Sequence, residues 1–320
     1  MQKEIEKEKM FKDRLLSGKF PVTVEVPTVM GTEISWIMGD MERTELHKKA
    51  DALNVPNNPG GRVRIEPLAL SSILQQRFGT ETIPHLTCRG ETLSTIQRWL
   101  FGASVLNVKN VLVVSGDPPS KEIYPEEERR MNISSLEVIA GIKKYLEKGY
   151  LIPLEPSRNS DGDKEKKMIK TEGRVEMNVG AVFLPFRPEE ARYLRKKMEA
   201  GADFFHSQIT FDGRDIISFL QSIPSIKNNK RFFVSAVLLS DEKSLNYFIE
   251  KPNLFIKIGG SSFKRLKNSK NLLKETENMA IEIFSQVQDF AEEIGIKVGG
   301  HIVSLGNFDA AREIIEEVKR

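Results

Sequence analysis

Eight short apolar segments, rich in β-branched residues, alternate with amphipathic segments along this chain of 320 residues. In the amphipathic segments apolar residues return every three or four positions, which is the period of an α-helix. Strands that alternate with helices in this way form parallel sheets covered by helices. The eight strand-like segments are 21–26, 52–55, 83–88, 110–115, 178–183, 203–209, 231–237 and 296–302.

Helices are predicted between these strands, most clearly at 91–106, 134–148, 189–200, 214–222 and 273–293. Eight alternations in a chain of this length favour a (β/α)8 TIM barrel, with a doubly wound open sheet as the alternative. No Gly-x-Gly-x-x-Gly turn follows the first strand, so a Rossmann-type dinucleotide site has no support. We therefore expect one α/β barrel domain over residues 20–320, preceded by a helical extension over residues 1–19.

The segment 189–200 has the best-defined ends of the predicted helices. Pro188 suits a first helical turn, and Glu189 and Glu190 oppose the positive end of the helix dipole. Gly201 can close the far end of the helix. We expect the helix to begin at Glu189 and to end just before Gly201.

The stretch 155–174 differs from the rest of the chain in composition. It is rich in Lys, Asp, Glu, Ser and Gly and lies between the fourth and fifth strands. Such a composition is typical of a solvated loop. We expect a polar loop inserted after the fourth strand, which is either a lid or a plain insertion.

Composition excludes several classes of function. The 48 basic and 45 acidic side chains are interleaved, so neither nucleic-acid nor membrane binding is expected. The single cysteine, Cys88, excludes an internal disulfide, and the four histidines lack metal-ligand spacing, so no metal is expected. Residues 1–9 are charged and no signal segment is visible, so we expect a cytoplasmic protein.

The fourth strand leads directly to a carboxylate. Asp117 follows the apolar run 110–115 and stands between Gly116 and two prolines. A turn-forming aspartate before Pro-Pro is the structural alternative. The carboxyl ends of barrel strands are where such folds place their chemistry, which favours a functional role for Asp117.

Glu25 interrupts the apolar first strand with a carboxyl group, which is costly to bury unpaired. It either points to solvent, pairs with a lysine, or belongs to a site where partial burial raises its pKa, as general acid chemistry near neutrality requires. The other polar residues expected at the barrel mouth are Asn54, Asn57, His85, Thr87, Arg89, Ser115, His206, Gln208, Asp212 and His301.

Three stretches, in this order, resemble the methylenetetrahydrofolate reductase family of flavin-binding (β/α)8 barrels. They are Pro-His-Leu-Thr-Cys-Arg at 84–89, the run 110–119, and 197–203 leading to Gln208 and Phe211-Asp212. The resemblance extends from Phe20 to Asp212 and continues more weakly over 295–311. It implies an oxidoreductase acting on CH–NH groups in one-carbon metabolism and methionine biosynthesis.

By this resemblance, reduced FAD passes a hydride to a one-carbon unit that bridges two nitrogens of a reduced pterin. Glu25 matches the general acid that protonates the leaving nitrogen. Asp117 matches the carboxylate between flavin and pterin, which stabilises a cationic iminium. Gln208 matches the amide that binds the pterin edge, and Phe211 is assigned to substrate binding with it.

The resemblance also implies a set of flavin contacts. Gly116 lets the backbone approach the flavin ring, and Lys197 supplies a point charge for the pyrophosphate. The residues assigned to the flavin are His85, Thr87, Ser115, Gly116, Asp117 and Lys197.

Two residues depart from the flavin enzymes of this family. Pro56 stands where they carry a threonine, and Leu184 where they carry a tyrosine. These departures keep alternatives open: a flavin-independent pterin reductase, a pterin-dependent methyl-transfer protein, or a non-catalytic barrel subunit of a one-carbon complex. The electron donor is open, with NAD(P)H as one candidate, and so is the choice between a homo-oligomer and a partner protein that donates electrons.

Overall fold

The computed structural model describes residues 10–120, 133–153, 168–223, 229–250 and 255–320. Eight strands pair in sequence order, all parallel, and the last closes on the first. The strands are β1 Val22–Glu25, β2 Ala52–Val55, β3 Thr82–Thr87, β4 Asn110–Val114, β5 Asn178–Phe183, β6 Phe204–Ile209, β7 Arg231–Val237 and β8 Lys297–Val303. The predicted (β/α)8 barrel is confirmed.

Helices surround this barrel and connect its strands. They are α1 Phe11–Leu16, α2 Ser35–Thr44, α3 Leu46–Lys49, α4 Pro67–Phe78, α5 Leu93–Val105, α6 Ser135–Lys144, α7 Glu190–Glu199, α8 Gly213–Gln221, α9 Glu242–Ile249, α10 Gly260–Asn268, α11 Leu272–Ile294 and α12 Phe308–Val318. Short 3-10 turns lie at Pro59–Gly61 and Leu146–Lys148. Most of the polar stretch 155–174 falls outside the described residues.

The start of α7 differs from its prediction by one residue. Glu189 adopts the left-handed conformation, with φ 59°, so the helix begins at Glu190 and Pro188 precedes it. Glu190 is buried and forms an ion pair with Arg187. The first-turn acid therefore binds a neighbouring cation inside the protein and does not face solvent.

Helix α1 closes the bottom of the barrel, the end at which the strands begin. The ring of Phe11 meets Phe204 edge-on at 5.6 Å and stacks on Phe233 at 5.9 Å. Both partners point into the barrel, in an apolar cluster with Ala52, Ile83 and Leu112. The bottom of the barrel is consequently filled with side chains.

A buried arginine fastens the chain that follows α1. Arg231, at the start of β7, is 2% exposed and donates to the carbonyl oxygens of Leu15 and Lys19, each at 3.0 Å. It also donates to the carbonyl oxygens of Ser17 and Val298. Because backbone carbonyls satisfy its donors, the charge is tolerated inside the protein although burial lowers its pKa to about 10.

One side of the mouth, at the carboxyl ends of β6 to β8, is covered by an apolar cluster that we call the apolar cap. Helices α9 and α10 supply Leu245, Phe248 and Leu266 to it. Its buried members are Ile209, Phe211, Val237, Leu239, Leu245, Phe248, Leu266, Met279 and Val303. The open part of the mouth is therefore shifted toward β1 to β5.

Candidate functional site

The barrel interior is layered, because inward side chains of alternate strands lie at the same height. The strand registers place Asn54, Leu112, His206 and His301, all from even-numbered strands, in one layer. The layer above it, toward the mouth, contains Glu25 and His85 from odd-numbered strands. A polar layer thus lies directly beneath the predicted general acid.

Hydrogen bonds hold this polar layer together. Thr23 Oγ1 lies 2.9 Å and Asn54 Nδ2 3.0 Å from Nδ1 of His301. Both groups can donate, so Nδ1 is the acceptor and the ring proton sits on Nε2. The rings of His206 and His301 meet edge-on at 4.6 Å.

Burial keeps the three histidines of the barrel interior neutral. It lowers the pKa of His301 to about 3 and that of His85 to about 4, and it holds the pKa of His206 well below its usual range. Within the described residues, Nε2 of His85, Nε2 of His206 and Oδ1 of Asn54 have no hydrogen-bond partner. Such atoms usually bond ordered water, so the interior beneath Glu25 is polar enough to hold it.

Glu25 ends β1 at the bottom of the mouth. Burial of its carboxyl group raises its pKa to about 7. Ser304 Oγ donates to the backbone oxygen of Glu25 at 2.7 Å and so fixes the end of the strand. Because the pKa lies near neutrality, the carboxyl group carries an available proton at physiological pH, as a general acid must.

Two of the three residues assigned to the substrate, Gln208 and Phe211, lie near the end of β6, and the third is Asp117. Gln208 Oε1 accepts from the backbone N–H of Ile209 at 2.8 Å, beside a register shift between β6 and β7. This bond orients a carboxamide that has both a donor and an acceptor. Phe211 is only 4% exposed and lies inside the apolar cap, where its carbonyl oxygen accepts from Ser262 Oγ.

Asp117 joins two loops above the end of β3. Its Oδ2 accepts from the backbone N–H of Gly60 at 2.8 Å, and Ser120 N–H donates to the carbonyl oxygen of Gly61 at 2.9 Å. Gly61 has φ +71°, and Pro118 O lies 1.9 Å from where a Cβ on Gly61 would stand. We call residues 57–62 and 116–120 the loop clasp.

Gly116 also lies against protein. A Cβ at this position would meet Cβ of Thr87 at 3.0 Å, and Gly116 has φ +83°. Thr87 Oγ1 accepts from Asn57 Nδ2 at 3.2 Å, and Arg89 Nε donates to the Gly116 carbonyl at 3.1 Å. The space that the glycine leaves is thus taken by a threonine of β3.

Tyr247 is a site residue that sequence reasoning missed. It lies on α9, after β7, yet its hydroxyl is 3.2 Å from the place of a Cβ on Gly60. Burial and the nearby Asp117 carboxylate raise its pKa. Helix α9 therefore reaches across the mouth to the loop clasp, and no motif in the sequence indicates this.

The structure places Lys197 behind β5 and not in the mouth. Its ammonium group donates to Val182 O at 2.6 Å and lies 3.6 Å from Glu190 Oε1. The residue is 7% exposed, and burial lowers its pKa although the Glu190 carboxylate opposes that shift. Its charge balances a buried carboxylate.

These contacts test whether the residues present fit a flavin. His85, Thr87, Ser115 and Gly116 do lie together at the ends of β3 and β4. However, Thr87 fills the face of Gly116, and Lys197 is buried against Glu190. The described residues therefore do not fit a flavin dinucleotide in the arrangement that the resemblance implies.

A cavity of about 270 Å³ opens between α4 and α5 beside Asn57 and Thr87. Trp99 Nε1 donates to Glu66 at 2.9 Å across it. The Glu66 side chain also accepts from the first turn of α4, where it caps the helix. The Glu66 carboxylate at this cavity thus has a structural role, because it caps the N-terminus of α4.

The described residues contain no group of three or more His, Cys, Asp or Glu side chains arranged to hold a metal ion. Cys88 is buried, and burial raises the pKa of its thiol to about 12. In the described part of the chain, no helix is long and apolar enough to cross a bilayer.

Comparison with known sequences finds one family. The family profile described as methylenetetrahydrofolate reductase matches residues 11–153. The chain is similar to methylenetetrahydrofolate reductase 2 of Schizosaccharomyces pombe, with 26% identity over 163 residues. That match covers 50% of this chain but 23% of the yeast protein, so the chain corresponds to only part of its relative.

Comparison with solved structures finds the same barrel fold. An uncharacterized protein from Clostridium thermocellum, described as binding two copies of 5-methyl-5,6,7,8-tetrahydrofolic acid, is similar with a TM-score of 0.67 and 14% identity. The similarity covers 97% of this chain and 99% of the other. EDTA monooxygenase from Chelativorans sp. BNC1 is similar with a TM-score of 0.51 and 12% identity, over 94% and 93% of the two chains.

Proposed function

We propose that the chain binds a reduced pterin and reduces its bridging methylene group to a methyl group, since residues 11–153 match the methylenetetrahydrofolate reductase profile. The observation that carries this proposal is Glu25, a partly buried residue at the bottom of the barrel mouth whose carboxyl group has its pKa raised to about 7 by desolvation. A protein of similar fold, described as binding 5-methyltetrahydrofolic acid, supports a reduced pterin as the ligand.

The chemistry requires a proton at one defined place. The methylene carbon bridges two pterin nitrogens, and breaking one carbon–nitrogen bond leaves a cationic iminium and a nitrogen that needs a proton. Glu25 supplies this proton, since neutral histidines beneath it give its carboxylate no stabilising charge. Hydride addition to the iminium carbon, from a separate two-electron donor such as NAD(P)H, then gives the methyl group.

Two further side chains have roles in this proposal. Asp117 places a carboxylate at the rim of the mouth, where it stabilises the cationic iminium. The carboxamide of Gln208, held at the β6 bulge, binds the donor and acceptor edge of the pterin. Phe211 contributes indirectly, because it packs in the apolar cap behind that edge.

Calorimetric titration with 5-methyltetrahydrofolate tests the proposal at the level of binding. We expect saturable binding to the wild-type chain and weaker binding to Gln208→Leu, which keeps the side-chain bulk and removes the carboxamide. Gln286→Leu, on the outer helix α11, is the matched control. Absence of binding to the wild-type chain would refute the proposed function.

A further inference from the structure

We infer that the barrel mouth takes the reduced pterin without a resident flavin, because Thr87 takes the space beside Gly116 and Glu190 engages the ammonium group of Lys197 that a pyrophosphate would need. The inference rests on the proposed function and specifies which ligands the mouth accepts. Three sets of contacts carry it: the loop clasp, the contact of Thr87 with Gly116, and the buried Lys197–Glu190 pair.

The loop clasp covers the end of β3. Its two loops follow β2 and β4, which flank β3 in the barrel. The bonds from Gly60 N–H to Asp117 and from Ser120 N–H to the carbonyl oxygen of Gly61 draw these loops together. A flavin ring placed over His85 would have to separate these two loops. They are closely packed, since Pro118 O lies 1.9 Å from where a Cβ on Gly61 would stand.

Gly116, which the resemblance assigns to the flavin ring, is in contact with the side chain of Thr87. The missing Cβ of Gly116 makes room for the methyl group of Thr87, with Cγ2 only 3.1 Å from the Cβ position. A ring in van der Waals contact with Gly116 would have to displace Thr87 and break its bond with Asn57. Pro56 and Leu184 have no hydroxyl group that could hydrogen-bond a flavin, whereas the flavin enzymes carry a threonine and a tyrosine at these places.

The ammonium group of Lys197, which the resemblance assigns to the pyrophosphate, balances the charge of the buried Glu190 carboxylate. Glu190 is fully buried as a side chain and has two cationic neighbours, Arg187 and Lys197. Movement of Lys197 into the mouth would remove one of them and also break the bond to Val182 O. Breaking a buried ion pair is strongly unfavourable, so we assign Lys197 a structural role.

The clasp and the apolar cap leave Glu25 and Gln208 outside their contacts. The clasp lies over β2 to β4, the apolar cap lies over β6 to β8, and Tyr247 connects them. Glu25 ends β1, which lies between the cap at β8 and the clasp at β2, and Gln208 lies near the end of β6 at the border of the cap. The proposed reaction assigns both residues to the pterin.

The test uses the full chain, purified from cells supplied with riboflavin. We expect no flavin absorbance, and no saturable quenching of FAD fluorescence at protein concentrations that bind 5-methyltetrahydrofolate. Stoichiometric FAD, either copurified or rebound, would overturn the inference and leave the proposed function standing. Failure to bind the pterin would refute the proposed function, and the inference with it.

A pair of variants tests the role of Lys197 separately. If the ammonium group balances Glu190, Lys197→Met lowers the free energy of unfolding, and adding Glu190→Gln restores part of it. Urea unfolding measures both changes. If Lys197 instead binds a pyrophosphate, Lys197→Met leaves stability unchanged and weakens FAD binding, which contradicts the structural role.

Discussion

Thr23 and His301 are joined inside the barrel by a contact of 2.9 Å between the threonine hydroxyl and Nδ1 of the histidine. The two residues face each other on β1 and β8, where they are register partners. Thr23 is fully buried and lies two residues before Glu25 on the same face of β1. The contact therefore supports the polar layer directly beneath Glu25, the proposed acid.

Thr23→Val removes the hydroxyl group and keeps the shape of the side chain. We expect the free energy of unfolding to fall by about 1 kcal/mol, since one buried hydrogen bond is lost. Asn54→Leu should cost more, because Asn54 contacts both His206 and His301. Urea unfolding checks the order of the two variants, and equal stability of Thr23→Val and wild type would show that the contact contributes nothing.

Stability should fall as the pH falls below about 6.5, the unperturbed pKa of histidine. Below that value the unfolded chain binds protons on His85, His206 and His301, which stay neutral in the folded barrel. Each such proton contributes a slope of about 1.4 kcal/mol per pH unit. Glu25 acts in the opposite direction between its two pKa values, 4.5 unfolded and about 7 folded, so the net slope there is smaller but still positive.

Urea unfolding between pH 4.5 and pH 8 measures this slope. The matched variant is His301→Leu, which removes one of the three titrating groups. Its stability should depend less steeply on pH than that of the wild-type chain. A wild-type stability that rises as the pH falls from 6.5 would contradict the conclusion that the three buried histidines stay neutral in the folded barrel.

Glu25→Gln should abolish reduction of a methylene pterin while leaving pterin binding intact. The amide keeps the size of the side chain but has no acidic proton, and a lost general acid costs roughly 100-fold or more in rate. Glu172→Gln changes an exposed carboxylate and is the control. In the wild-type chain, the rate should fall as the pH rises through about 7, where Glu25 loses its proton. Full turnover by Glu25→Gln would remove Glu25 from the reaction.

Gly61→Ala should destabilise the chain more than Gly79→Ala does. Both glycines have nearly the same backbone angle, φ +71° and +72°, so the conformational strain of an alanine is matched. Only at Gly61 would the new methyl group also collide with Pro118 O and open the loop clasp. Thermal unfolding compares the two variants, and equal losses would mean that the clasp adds no stability.

Phe11→Ala should leave a cavity at the bottom of the barrel and cost about 3–5 kcal/mol. Phe11 is 1% exposed and contacts the rings of Phe204 and Phe233. Leu16→Ala, in the same helix, changes a side chain that is 55% exposed and should be nearly neutral. Urea unfolding of both variants measures the difference. If Phe11→Ala is as stable as Leu16→Ala, α1 does not close the barrel.

The strands could be predicted from sequence because each buried strand of a parallel barrel is a short apolar run with sharp ends. The pattern also predicted five helices, and their observed bounds differ by up to four residues. The largest difference lies at 134–148, where α6 ends at Lys144 and a separate 3-10 turn, Leu146–Lys148, follows. The φ/ψ change at Tyr145 that separates them leaves no mark in hydrophobic periodicity.

The candidate site could be predicted only in part. Strand ends indicated Glu25, His85 and Asp117, because the topology brings all carboxyl ends to one face. The sequence could not indicate the loop clasp or the reach of Tyr247, since these depend on contacts between segments far apart in the chain. The placement of Lys197 was equally invisible, because its partner Glu190 looked like a solvent-facing helix residue.

In the described part of the chain, the bottom of the barrel is closed and the mouth is the open end. Phe11 packs on Phe233 and blocks passage at the strand starts, and Arg231 fixes its helix by donating to the carbonyl oxygen of Leu15. The apolar cap narrows the opposite end of the barrel. In the proposed reaction, substrate and product would therefore use the same opening, one after the other. A methylated pterin that lingers there would keep the next methylene pterin out, so the product should act as a competitive inhibitor of its own formation.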